Sequence, residues 1–184
     1  MLRRARRITV TALLVLAAGM TVHAQAGTTA DALFAHAKAE AAREHKNVLL
    51  VFSASWCPPC KLYEGFLEDP QMKPITEKAF VVERIDVGEH PGDKKHSDTP
   101  GGVKLRTELG AVQEPGFPFL VMTDAAGKPI VNSYRNGVKD NNVGYPYLPE
   151  EVDWYMEMLK RAAPALSAAD LETTHNWLKA HGKH

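Results

Sequence analysis

Cysteine is scarce in this chain. Two of its 184 residues are cysteines, and both lie in one short run, Trp56-Cys57-Pro58-Pro59-Cys60-Lys61. Exported domains stapled by disulfides spread their cysteines to close long loops, so a scaffold of that kind is excluded. A pair this close restricts little of the unfolded chain and stabilises little through loop entropy. It therefore reads as chemical rather than structural. A second C-x-x-C or a paired-histidine motif is also missing, which removes the usual ligand set of a zinc site. Excess charge is lacking as well: 22 basic residues balance 22 acidic ones, so nothing offers nucleic acid a basic footprint. No repeat at a fixed period and no low-complexity stretch appears. No apolar run reaches the roughly 18 to 20 residues of a membrane span.

The longest apolar stretch lies at the N-terminus. Arg3, Arg4, Arg6 and Arg7 precede Ile8 to Met20, and Val22-His23-Ala24-Gln25-Ala26 follows. A basic start, a short apolar run and an A-x-A pattern make residues 1–26 an expected signal peptide, cut after Ala26 or, as a second choice, Ala24. An uncleaved anchor is the alternative. Removing residues 1–26 takes away four arginines and no acid, leaving 18 basic against 22 acidic residues, a net charge of about −4. The remaining 27–184 is expected to be one domain, since about 158 residues support one core rather than two. Its core is expected over about 30–163, with a helical extension at 164–184.

Periodicity predicts a helix over 30–44, with Leu33, Phe34, Ala37 and Ala41 on its apolar face. Val48 to Phe52 is a continuous apolar run of strand length, as expected for a strand covered on both faces. Pro58 and Pro59 suit the first turn of a helix, where a missing N–H costs nothing. That helix continues through Leu67, with Leu62, Phe66 and Leu67 expected inward. A strand over 80–87 completes a parallel βαβ unit. The Gly/Pro/His/Asp-rich segment 88–102 reads as a long loop, and long loops are functional or mobile. A short helix over 103–109, a hairpin of strands 117–123 and 129–134, an irregular stretch 136–147 and helices from Pro149 and Ser167 complete an α/β order. Asp170, three residues after Ser167, makes a capping-box start for the last helix.

A C-x-x-C between a buried strand and a helix points to thiol–disulfide exchange. The helix N-terminus puts partial positive charge and N–H groups near the first sulfur, which favours thiolate over thiol. Cys57 is thus expected to be the exposed nucleophile and Cys60 the buried resolving thiol. The two prolines remove two donors that could otherwise reach the thiolate. Fewer donors depress the pKa less, which favours a reductase over an oxidase.

The run Trp56-Cys57-Pro58-Pro59-Cys60-Lys61 after an apolar strand, with Gly116-Phe117-Pro118 before a later one, resembles the thioredoxin superfamily. The resemblance covers about 30–163 and implies a central mixed sheet of about four strands flanked by helices. It implies a cis Pro118 facing the cysteines, Phe117 presenting its backbone to a bound partner, and Trp56 beside the sulfurs as a contact for partners. Thioredoxins proper carry a buried Asp six residues before the first cysteine, where this chain has Val51. Cys60-Lys61-Leu62-Tyr63-Glu64 with Glu68-Asp69-Pro70-Gln71 resembles the C-terminal thioredoxin-like domain of membrane-embedded Dsb electron-transfer reductases. That likeness implies a place for Glu64 near the cysteines, on the same helical face, where the alternative is a solvated carboxylate.

The function expected is that of an exported, periplasmic, monomeric oxidoreductase acting on protein thiols and disulfides through a redox partner. Neither a cofactor nor a metal is expected. A membrane enters only through that partner or an uncleaved signal. The second reading is a binding or metallochaperone-like protein whose cysteines hold a metal or partner without turnover. His90, His96, His175, His181 and His184 match no ligand spacing and read as surface residues. Tyr145 and Tyr147 are candidates for the border of a partner groove.

Overall fold

The computed structural model describes residues 28–112 and 114–182; the expected signal segment 1–26 lies outside them. Helix α1 (Ala30–Glu44) starts at Thr29, whose side chain accepts from the Ala32 N–H, and stops at His45 in the left-handed conformation. Strand β1 (Asn47–Ser53) follows, then α2 (Pro58–Glu68), α3 (Met72–Ala79) and β2 (Phe80–Asp86). Helix α4 (Gly102–Glu108), β3 (Phe119–Thr123) and β4 (Pro129–Asn132) come next, and α5 (Pro149–Ala162) and α6 (Ala168–His181) end the chain. The sheet order is β2-β1-β3-β4, with β1 and β2 parallel and the other pairs antiparallel. This is the mixed four-stranded architecture that the resemblance implies. Among the described residues, no helix is long and apolar enough to cross a membrane.

Strand β1 is central because both its faces are apolar. Leu49 and Val51 join Tyr63, Phe66, Met72, Leu120, Tyr155 and Leu159 on one side. Val48, Leu50 and Phe52 join Phe34, Ala37, Ile85, Phe119 and Val121 on the other. Each such side chain contributes about 1.5–3 kcal/mol when removed from water, and Phe52→Ala would cost about 3–5 kcal/mol. A buried central strand with a helix leaving its end gives the cysteines a rigid base.

Three expectations change. Helix α3 has no counterpart in the periodicity reading. Asp69 starts it: its carboxylate accepts from the N–H groups of Gln71 (2.8 Å) and Met72 (3.2 Å), and its carbonyl from that of Lys73 (2.8 Å). Leu62 points outward and is 51% exposed, while Tyr63 takes the inward position, since α2 turns its Cys60–Tyr63–Phe66–Leu67 face to the sheet. Strand β4 stops at Asn132 rather than 134, because the Asn132 side chain accepts from the Tyr134 N–H and turns the chain away. The C-terminal helix begins at the expected Ser167–Asp170 capping box and packs into the core, with Leu178 buried and Trp177 edge-on to Phe66 at 5.2 Å.

Candidate active site

Cys57 and Cys60 form a disulfide at the joint between β1 and α2, with Cα atoms 5.3 Å apart. Cys57 is the N-cap of α2, and Pro58 and Pro59 fill the first two helical positions. Because prolines bring no N–H, the Cys60 N–H is the first of the helix able to reach the sulfur, and it donates to Cys57 Sγ at 3.2 Å. One hydrogen bond and the helix field thus act on this sulfur.

Cys60 is buried as expected, but Cys57, expected to be exposed, is buried too. Cys57 is 2% exposed and Cys60 8%, so in the disulfide state both sulfurs are covered. Phe117 packs against Ala54, Cys57 and Cys60, and the Trp56 ring meets it edge-on at 6.1 Å. Trp56 itself is held from the far side. Its Nε1–H donates to the Gly88 carbonyl at 2.8 Å, and His90 stacks on it at 4.9 Å. Beneath Phe117 lies the buried guanidinium of Arg106, 5.5 Å from the ring centroid, with burial lowering its pKa. Gly88, at φ +78°, leaves room for this stack: a Cβ there would lie 2.9 Å from the Phe117 ring.

The Phe117–Pro118 peptide is cis, and the irregular stretch after β4 buttresses it. Asn142 Nδ2 donates to the Pro118 carbonyl at 3.0 Å. Asn142 Oδ1 accepts from Ser133 Oγ at 2.5 Å, and that hydroxyl accepts from the Leu120 N–H at 2.9 Å. Gly144, at φ +54°, passes so near Pro118 that a Cβ would lie 3.0 Å from its carbonyl oxygen. Neither Asn142 nor Gly144 stands out in the sequence, because the polar stretch 136–147 also holds Asn136, Gly137 and Asn141. Tyr145 and Tyr147 border a groove of about 860 Å³, shared with Pro58, Pro59, Leu62 and Phe117.

The other side of the pair is polar and open. Cys60 lines a cavity of about 340 Å³ with Val51, Tyr63, Glu64, Arg84 and Asp86. Glu64 therefore shares a cavity with Cys60, but its carboxylate partner is the Arg84 guanidinium, which also reaches Glu68 at 3.5 Å. Asp86 was not foreseen. Although the residue is exposed as a whole, partial burial of its carboxyl raises its pKa, and the Glu89 charge adds to the rise. Behind the cavity the Tyr63 hydroxyl lies 3.0 Å from that of Tyr155. Burial pushes both phenols up and keeps them protonated. Of the histidines, His96 pairs with Asp93 (2.9 Å), the His181 Nδ1–H donates to the Trp177 carbonyl at 2.8 Å, and His184 lies outside the described residues. Among the described residues one group, Glu89, Asp93 and His96, brings metal-ligating atoms within 4.8 Å of one another.

A family profile described as Thioredoxin-like matches residues 29–125. The thiol:disulfide interchange protein DsbD of Photorhabdus laumondii is 28% identical over 97 residues, which are 52% of this chain and 15% of that protein. The match thus spans a small part of the relative. Among solved structures, a disulphide isomerase from Xylella fastidiosa Temecula1 superposes with a TM-score of 0.46 at 22% identity, over 79% of this chain and 85% of the other. A DsbH oxidoreductase does so with a TM-score of 0.41 at 24% identity, over 53% and 67%. The family match over residues 29–125, carrying the cysteine pair and the cis proline, places this chain in the thioredoxin-like family.

Proposed function

We propose that this protein is an exported thiol–disulfide oxidoreductase that reduces disulfides in other proteins. The observation that carries the reading is the Cys57–Cys60 disulfide at the start of α2, its first sulfur accepting from the Cys60 N–H at 3.2 Å beside a cis Pro118. In the reduced protein the Cys57 thiolate attacks one sulfur of a substrate disulfide. A mixed disulfide forms and the other substrate sulfur leaves as a thiolate. The Cys60 thiolate then attacks Cys57 Sγ, closing the Cys57–Cys60 disulfide and releasing the second substrate thiol. Two electrons and, overall, two protons pass to the substrate. An external dithiol donor restores the pair, a need set by an oxidising compartment.

Roles follow for the neighbouring residues. Phe117 and Pro118 present backbone to the substrate, and Trp56 covers the sulfurs until it arrives. The groove beside Pro58, Leu62, Tyr145 and Tyr147 takes the flanking polypeptide. Glu64 accepts the Cys60 proton through the shared cavity. The single hydrogen bond to Cys57 Sγ supports a reductase rather than a strong oxidase. Residues 1–26 act as a periplasmic signal cleaved near Ala26, and 27–184 work as a monomeric domain.

Reduction of insulin by the mature protein with dithiothreitol tests the activity, and Cys57→Ser is expected to abolish it. No turnover, with metal retained on the reduced pair after dialysis, would support the binding reading instead. A Cys57 pKa near 4 in the reduced protein would overturn the direction. Glu64→Gln is expected to slow turnover several-fold; an unchanged rate and an unchanged Cys60 pKa would remove its role.

A further inference from the structure

The loop 88–101 is longer than a strand-to-helix connection needs, and its first three residues form part of the wall around Cys57. The Glu89 carboxylate reaches across to the segment just before the cysteine. Its Oε1 accepts from the Ser55 N–H at 2.6 Å and its Oε2 from the Ser55 hydroxyl at 2.7 Å. The same short segment of loop supplies the Gly88 carbonyl to Trp56 Nε1 and the His90 ring that stacks on Trp56. Glu89 is itself fixed from within the loop, its N–H donating to Asp98 at 2.7 Å. The far end of the loop is tied to β2, where the Thr99 N–H donates to the Asp86 carbonyl at 2.7 Å and Thr99 Oγ1 accepts from the Asp86 N–H at 3.2 Å.

We propose that Glu89 is a positioning residue for the redox pair: by holding Ser55 it keeps Trp56 and Phe117 closed over Cys57. The reasoning is geometric. Ala54, Ser55 and Trp56 link the end of β1 to Cys57, in a short stretch that lies outside both β1 and α2. A carboxylate that takes both polar hydrogens of Ser55 sets the direction in which Trp56 leaves the backbone. The charge assistance in these bonds makes them stronger than neutral ones. Cys57 is 2% exposed beneath Phe117, and Trp56, which meets the Phe117 ring edge-on at 6.1 Å, is 43% exposed. A cover that open to solvent depends on its anchors, and Glu89 holds the residue next to it. The 88–101 loop thereby gates access to the sulfur.

The inference rests on the exchange chemistry proposed above only for its purpose; its test uses the protein's own disulfide. Oxidised mature protein is mixed with dithiothreitol at fixed pH, and free thiols are counted over time. Salt of about 0.15 M limits long-range charge effects on the attacking thiolate to within about 8 Å. Glu89→Ala removes both anchors and is expected to speed reduction three- to tenfold. Glu89→Gln keeps an acceptor for the Ser55 N–H and a donor for its hydroxyl oxygen, and is expected to stay within twofold of the parent. Ser55→Ala, which loses one anchor and keeps the other, should accelerate reduction two- to threefold, and it carries the test if Glu89→Ala does not fold. Unchanged rates in Glu89→Ala, or in Ser55→Ala alone, would overturn the proposal. So would a Glu89→Gln rate equal to that of Glu89→Ala, because the effect would then come from charge rather than position. If the parent protein fails to reduce insulin while these rates follow the expected order, the proposed activity falls and the positioning role stands.

Discussion

The two cysteines share one disulfide yet sit between unlike walls. On the Cys57 side, aromatic rings close together: Trp56, Phe117 and His90, backed by the Arg106 guanidinium. On the Cys60 side, charged groups surround a solvent-reaching cavity: Glu64, Arg84 and Asp86, with Val51 at the base. The closed wall covers Cys57 in the disulfide state. The open wall has the groups that exchange protons with water. Such a division suits a pair in which one sulfur meets the substrate and the other must lose its proton before it attacks.

The sharpest way to break this contrast is to move a carboxylate into the base of the open wall. Val51 is 4% exposed, so Val51→Asp places a charge where water scarcely reaches. The loss of stability at pH 8 should be about 3 kcal/mol, from lost apolar burial and a desolvated charge. Burial raises the folded-state pKa above the unfolded value of about 3.9. The charge penalty is therefore absent below about pH 4 and grows as pH rises through the folded pKa. Urea unfolding at pH 4 and pH 8 should show the smaller loss at pH 4. A loss independent of pH would mean that Arg84, the register partner of Val51 on β2, neutralises the new carboxylate and that the base of the cavity is not dry.

The closed wall is tested at Gly88. Alanine there must adopt a φ near +78°, at a cost of about 1–2 kcal/mol, and its Cβ would press on the Phe117 ring at 2.9 Å. Gly88→Ala should lose about 2 kcal/mol in urea unfolding and also expose the disulfide, with faster reduction by dithiothreitol. Lost stability with an unchanged reduction rate would show that Phe117 does not shield Cys57.

Much of this site was legible in the sequence because its parts are local. The proline-capped start of α2 and the buried run of β1 each follow from residues within a few positions of one another, whereas the place of Pro118 beside the cysteines comes from the resemblance to the thioredoxin superfamily. What escaped depends on distant contacts. Cys57 reads as exposed from its helix position, and it is buried because Phe117, sixty residues on, lies over it. Val51 marks the absence of an acid on β1, but Asp86 enters the cavity from β2 through the parallel register that sets it beside Ser53. Helix α3 was missed for a different reason: its start depends on Asp69 side-chain bonds rather than on an apolar stripe. Asn142 and Gly144 belong to an irregular loop, and only the cis Pro118 they touch gives them meaning.

The smallest effect expected is at Asp86, and it separates the two walls by pH alone. Partial burial is the main cause that raises its pKa, followed by the Glu89 charge, while Ser53, His96 and Arg84 oppose the rise. A carboxyl that holds its proton better in the folded state favours folding while protonated. That contribution is complete below the unfolded pKa and is lost as pH rises through the folded one. Asparagine does not titrate, so Asp86→Asn should gain on the parent between pH 4 and pH 7. The gain should be about 0.5 kcal/mol or less, because the residue is solvent-exposed and screened. Urea midpoints at pH 4, 5.5 and 7 measure it. A parent that gains on the variant as pH rises would show attraction to Arg84 outweighing burial, and the cavity beside Cys60 would then favour a carboxylate rather than a carboxylic acid.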